Sequence, residues 1–128
     1  DPEERVRFRN LLCEIAEERI VILSTHIVGD IEATCENIAV LNEGQIIFNG
    51  TVTQLLERAD GKVYMADISR KELSDLKEEY KVTSMLSMGN NVSVRFISED
   101  TPFLSASSCE PGVEDAYMYL MQEKEVEL

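Results

Sequence analysis

The chain has one histidine, His26, and it closes the run Ile20-Val21-Ile22-Leu23-Ser24-Thr25-His26. An imidazole at the end of a buried strand is a hydrogen-bond donor, neutral or protonated, and suits a place where negative charge develops on a transferred group. Its plainer role is to cap the helix that starts near Ile27. Asp1 stands where a helix N-cap belongs, an arrangement worth about 1 kcal/mol. The neighbouring carboxylates Glu3/Glu4 and Glu17/Glu18 resemble acid–base pairs only on paper. Their helical placement points them to solvent, and Glu3 and Glu4 complement the positive start of a helix. Cys13, Cys35 and Cys109 are odd in number and lack metal-site spacing, so they are expected as reduced, mostly buried thiols, with Cys13 and Cys35 packed on apolar faces. Met85, Met88, Met118 and Met121 are expected in the core. Asn91-Val92-Ser93 fits a glycosylation sequon that a cytosolic protein would not use. No set of side chains has the spacing of a metal site.

The elements that must hold these residues follow from periodicity. Phe8, Leu11, Leu12, Ile15 and Ala16 recur at helical spacing and predict a helix over 2–18, with Pro2 in its first turn. Residues 20–24 are short, β-branched and apolar, as in a strand buried on both faces of a parallel sheet. A helix is expected over 28–36, then a hairpin built from 37–41 and 45–48 around Asn42-Glu43-Gly44, then a short helix over 52–59. A single parallel strand has no neighbour here to pair with, which implies sheet partners from elsewhere or a rearranged, exposed edge.

Asp60-Gly61 marks the expected boundary between domains 1–60 and 61–128. Beyond it, a strand over 62–68 leads to Ser69-Arg70-Lys71-Glu72, which has capping-box spacing, and to a helix bearing Leu73, Leu76 and Tyr80. Two alternating stretches follow, with Val82, Leu86 and Met88 on one side of the first, and Val92, Val94 and Phe96 on one side of the second. Gly89-Asn90-Asn91 turns between them. A short strand is expected near 103–107. Val113, Ala116, Tyr117, Leu120 and Met121 then mark a last helix. The fold class expected is α/β followed by α+β, the second part a small ferredoxin-like β-α-β-β-α module.

Composition narrows the function. The chain has 128 residues and is 44% hydrophobic, enough for a packed core. The net charge is −13, with 12 acids and 5 bases in 1–61 and 13 and 7 in 62–128. Acid spread so evenly is a solvated surface and argues against nucleic-acid partners and anionic membranes. The longest strongly apolar stretch, 20–23, is far too short to span a bilayer.

The strand ending in Ser24-Thr25-His26 resembles the switch-histidine loop of ATP-binding cassette (ABC) ATPases. Asp1-Pro2-Glu3-Glu4 resembles the segment that follows that family's D-loop, one helix upstream of the switch strand. The hairpin through Asn49-Gly50-Thr51 resembles the antiparallel strands that close the catalytic core, and Gln54-Leu55-Leu56 the helix after it. Pro111-Gly112-Val113-Glu114-Asp115-Ala116-Tyr117 resembles the Pro…Glu-Asp-x-aromatic segment found near the end of exporter ATPases with a C-terminal extension.

The resemblance implies the C-terminal part of a P-loop ATPase domain over 1–60 and an accessory or regulatory module over 61–128. It implies that His26 is catalytic, contacting the γ-phosphate of ATP, and that Asp1 lies at a D-loop dimer interface. ATP and Mg²⁺ would be cofactors of an intact protein that couples hydrolysis to export. Its partners would be a membrane-spanning subunit and a second ATPase domain, and it would sit in the cytoplasm, peripheral at the inner face of the cell membrane. The start without Met is taken as a sign of an excised fragment. No Gly-x-x-x-x-Gly-Lys-Ser/Thr loop occurs in the sequence, and the signature and Walker B segments are missing too. The fragment alone is thus expected to bind no nucleotide and to be inactive. The alternative is a non-enzymatic acidic interaction or regulatory module.

Overall fold

The computed structural model describes residues 1–25 and 27–127. It is a mixed α/β chain with two antiparallel sheets, divided into two compact units, Asp1–Val52 and Thr53–Leu128.

The first unit opens with α1 (Pro2–Ala16). Asp1 caps it by accepting a hydrogen bond from the Glu3 N–H at 3.1 Å, and proline stands in the first turn, where a missing N–H costs nothing. The apolar stripe read from the sequence is present, yet no residue of α1 is buried, and Phe8 is about half exposed. α1 packs on α2 (Val28–Thr34), and β1 (Asn37–Asn42) and β2 (Gln45–Thr51) form the expected hairpin. Its two-residue loop has φ of 49° at Glu43 and 77° at Gly44. Two successive left-handed residues make the turn whose twist matches the strands, and glycine takes the second position without strain.

The buried parallel strand expected over 20–24 is not formed. The segment is irregular, and Ile20 and Ile22 are 95% and 92% exposed. A strand exists only through hydrogen bonds to a neighbour, and the described residues offer this one none. Cys13 likewise lies exposed instead of packed, because the face of α1 that carries it has no cover; Cys35 and Cys109 are partly buried.

The second unit contains α3 (Val52–Arg58, its first residue at the division), β3 (Val63–Ser69), α4 (Arg70–Glu79), β4 (Lys81–Met88), β5 (Asn91–Ile97), β6 (Ser107–Ser108) and α5 (Val113–Glu127). The sheet runs β4-β5-β3-β6 with every neighbouring pair antiparallel. Tyr64, Ala66 and Ile68 of β3 stand opposite Phe96, Val94 and Val92 of β5. These six and Leu76 of α4 form one buried cluster. Phe96 is its centre, with ring centroids 5.0 Å from Tyr80 and 5.8 Å from Phe103. Ser69 caps α4 as its spacing requires, accepting from the Glu72 N–H. The opposite face of the sheet carries Val63 beside Ile97, both buried, and α5 packs against β4 and β5 through its own buried Val113, Ala116 and Leu120.

β4 departs from simple alternation. Val82 faces Phe96, then Thr83 is an extra residue, and Ser84 is the one that faces Arg95. One inserted residue exchanges the faces beyond it. Met85 and Ser87 therefore join the Val94–Val92 face, while Leu86 and Met88 move to the other. Met85, Leu86 and Met88 are all about half exposed or more, contrary to a core placement, since β4 is the edge of the sheet.

Candidate functional site

The N-cap Asp1 and residues 5, 8, 9 and 12 of α1 recur at three and four and so share one face. That face, together with Glu4, Leu23 and Thr34, lines a cavity of about 230 Å³ in the first unit. The structure thus brings Asp1 and Leu23, two residues separated by a whole helix, to the same cavity. The residues that line the cavity include two arginines, Arg5 and Arg9, two acids, Asp1 and Glu4, and the apolar Phe8, Leu12 and Leu23. The arginines were not singled out in the sequence, although their spacing from Asp1 was legible there.

At the far end of the segment, Thr25 Oγ1 accepts a hydrogen bond from the Ile27 N–H at 2.9 Å. Ile27 is the N-cap of α2, is extended, and brings no side-chain cap of its own. His26 lies outside the described residues.

Among the described residues the second unit has one buried charged centre, which sequence reasoning passed over. Asp115 is 5% exposed. Its Oδ1 accepts from Thr83 Oγ1 at 2.6 Å, and its Oδ2 accepts from Arg95 Nη2 at 2.6 Å and from the Gly112 N–H at 2.9 Å. Arg95 also donates to the Glu110 carbonyl at 3.0 Å. Burial pushes the Asp115 carboxyl up, but the hydrogen bonds from Arg95, Thr83 and Gly112 and the guanidinium charge outweigh it and hold the group below the usual carboxylate range. The β-bulge is what makes the site: the extra residue is Thr83, and its hydroxyl turns toward α5. Asp115 reaching back to the N–H just before its own helix is half of a capping box, a spacing visible in Gly112-Val113-Glu114-Asp115.

A second polar group joins Lys62, Glu99 and Tyr119. Tyr119 donates to Glu99 Oε1 at 2.8 Å, and Lys62 lies 3.1 Å from Glu99 Oε2. The bond from Tyr119, and then the one from Lys62, draw the Glu99 carboxyl down. Burial, followed by the bond to Glu99, pushes the Tyr119 hydroxyl up to about 12.

Several curated proteins match stretches of the chain. A Dictyostelium discoideum protein, ABC transporter A family member 8, is 31% identical over 78 residues, covering 61% of this chain and 9% of its own length. A Mycoplasma pneumoniae protein described as an ABC transporter ATP-binding protein is 33% identical over 86 residues, covering 63% of this chain and 26% of its own length. An uncharacterized ABC transporter ATP-binding protein of Synechocystis is 23% identical over 135 residues, covering 97% of this chain and 37% of its own length. Stretches of this chain are homologous to ABC transporter ATP-binding proteins. The chain spans well under half the length of these relatives. No family profile matches it. No solved structure matches it.

ABC ATPases use ATP with Mg²⁺, and the residues described here do not fit that group. The cavity lining holds two arginines and two acidic residues, so its formal side-chain charge cancels where a triphosphate needs a cationic cradle. Among the described residues no group of three or more His, Cys, Asp or Glu side chains converges to hold a metal ion. Also among them, no helix is long and apolar enough to cross a membrane.

Proposed function

We propose that this chain is part of the ATP-hydrolysing subunit of an ABC membrane transporter that drives export. Residues 1–60 are the stretch after the D-loop through the switch-histidine loop, and 61–128 an accessory or regulatory module. The observation that carries the reading is the extent of the Synechocystis match, which runs through 97% of the chain and so takes in both halves together. In the intact protein His26 would meet the γ-phosphate, and Asp1 would lie where two ATPase domains meet. That intact protein would work in the cytoplasm against a membrane-spanning subunit. Support for the pairing of the two sites comes from the shared cavity of Asp1 and Leu23.

The module reads as ferredoxin-like in its sheet. Its strands, taken in chain order as first to fourth, lie fourth-first-third-second, and all neighbours are antiparallel. It departs from that pattern in its last helix, which follows the fourth strand instead of preceding it.

The test is ATPase turnover by the product of the whole reading frame, with and without His26→Ala. A donor facing developing phosphate charge is worth about a hundredfold or more in kcat, with ATP binding retained. Unchanged turnover would sink the assignment. Residues 1–128 alone should show no saturable ATP binding in a calorimetric titration; micromolar binding there would mean that the phosphate site lies within this stretch.

A further inference from the structure

The sheet of the second unit has two unlike edges. β6 is two residues long, too short to template another strand. β4 is eight residues long, and among the described residues no strand lies beyond it. Edge strands are ordinarily guarded by charge, proline or a bulge. Beyond the bulge at Thr83, residues 84–88 carry no charge and no proline. Met85 is 49% exposed on one face of the sheet, and Leu86 and Met88 are 66% and 54% exposed on the other. A helix laid on the sheet would cover one face; a strand added at the edge brings neighbours to both.

The backbone groups on that edge follow from the register. Gly89-Asn90 is a two-residue loop, so Met88 and Asn91 exchange the first hydrogen bonds of the hairpin, and Leu86 with Ser93 the next. The Ser98 N–H donates to the Lys62 carbonyl, which sets the same parity by giving the even residues of β5 to β3. The N–H and C=O of Met85 and Ser87 therefore point off the open edge. Charge favours an identical neighbour there. Residues 81–98 hold no aspartate or glutamate in a chain with 25 acids and a net charge of −13, so this hairpin is where two copies repel least.

We infer that β4 is a self-association edge, where residues 84–88 of two copies pair antiparallel about a two-fold axis through Leu86. Met85 and Ser87 of one copy then exchange hydrogen bonds with Ser87 and Met85 of the other. Leu86 meets Leu86 in the flanking non-bonded pair, where side chains lie closest. Each methionine falls opposite a serine, Met85 against Ser87 and Met88 against Ser84, so large side chains face small ones on both faces. The bulge and the turn at Gly89 end the pairing, and an isologous contact closes at two copies. The contact needs nothing from His26 or from nucleotide.

The experiment uses residues 1–128 in an Ile20→Ser/Ile22→Ser background, which removes the apolar surface of that segment. Sedimentation equilibrium should show monomer and dimer alone, with a dissociation constant of about 1 mM or below. Leu86→Lys and Leu86→Glu each set like charges opposite one another across the axis, and each should weaken the dimer about tenfold or more. An equimolar mixture of the two should associate again, because lysine then meets glutamate. Ser87→Pro removes an N–H that the hairpin does not use, so it should abolish the dimer while the tyrosine-reported urea midpoint moves by less than about 0.5 M. Should a charged variant fail to fold, amide exchange in the unaltered strand decides: Met85 and Ser87 should slow as concentration rises, while Leu86 and Met88 stay protected throughout. A monomer at about 1 mM overturns the inference. So does a mixture that associates no better than either variant alone, or exchange at Met85 and Ser87 that ignores concentration.

Discussion

Asp115→Ala is the substitution with the largest calculable consequence. The side chain removed is buried, and it is the acceptor for three donors on three different elements: Thr83 in the β4 bulge, Arg95 on β5, and the Gly112 N–H at the head of α5. Truncation leaves the Gly112 N–H without this acceptor and reduces Thr83 and Arg95 to their second acceptors, the Arg95 and Glu110 carbonyls. Breaking a buried ion pair costs about 3–5 kcal/mol. Here the Arg95 side chain is 28% exposed and keeps its bond to the Glu110 carbonyl, so it recovers part of its solvation, and about 2–4 kcal/mol is expected. Asp115→Asn isolates the charge. Its carbonyl oxygen can take the place of Oδ2 and accept from Arg95 and Gly112, while its amide donates to the Thr83 hydroxyl. The loss should then be smaller, about 1–2 kcal/mol.

The assay is urea unfolding followed by tyrosine fluorescence. The chain has no tryptophan, and its four tyrosines (Tyr64, Tyr80, Tyr117 and Tyr119) all belong to the second unit, so the signal reports that unit alone. With a slope of about 1 kcal/mol per M, Asp115→Ala should lower the midpoint by about 2 M or more. The acid limb supplies a second readout. Because the folded carboxyl lies below its ordinary value, its contribution is complete above the unfolded pKa and is lost as pH falls through the lowered folded one. The gap between the parent and Asp115→Asn should therefore close in acid. A midpoint change under about 0.5 M for the alanine variant, or a gap that widens on acidification, would refute the claim that this cluster ties α5 to the sheet.

Two further predictions address other parts of the chain. Tyr119 is a neutral donor whose folded pKa is raised to about 12, so its stabilisation is complete below the unfolded value of 10.0 and disappears as pH rises toward 12; Tyr119→Phe should flatten the alkaline limb between those values, and an unchanged limb would rule the bond to Glu99 out as its source. Ile20 and Ile22 lie almost wholly in water, so the double variant Ile20→Ser/Ile22→Ser should reduce self-association in light scattering and leave the tyrosine-reported unfolding where it was; association that persists would place the adhesive surface elsewhere.

The second unit was largely legible because its elements carry local signals that agree with one another. Ser69 and Glu72 announced α4, the Gly89-Asn90 loop announced the hairpin, and Val92, Val94 and Phe96 kept strict alternation on a strand flanked on both sides. β4 was misread for a reason a hydrophobic pattern cannot reveal. Val82, Leu86 and Met88 share parity, but the bulge at Thr83 lies between them, and what stabilises it is Asp115, thirty-two residues away. The polar centre escaped notice for the same reason: Thr83, Arg95 and Asp115 are unremarkable apart and meaningful only when the sheet and α5 bring them together. Asp1 at a helix cap was visible from its spacing, whereas its meeting with Leu23 depends on how the chain turns after α1.

The failure at residues 20–24 has a different cause. The run Ile20-Val21-Ile22-Leu23 has the composition of a strand covered on both faces, and composition of that kind describes an environment as much as a conformation. In the first unit no described residue reaches full burial, and α1 leaves Val6, Phe8 and Leu11 half exposed. In the second unit, by contrast, Phe96, Leu55, Ile97 and Leu120 are fully enclosed. A stretch rich in branched apolar residues leaves its apolar surface largely in water here, with Ile20 and Ile22 almost wholly exposed. The relatives it resembles are all several-fold longer than the matched stretch, and the resemblance to an ABC ATPase implies what would cover that surface: neighbouring strands for residues 20–24 and a sheet for α1 to cover. Restoring that sheet by expressing the whole reading frame should convert residues 20–24 to slow amide exchange. Continued fast exchange there would mean that the apolar run serves some purpose other than a buried strand.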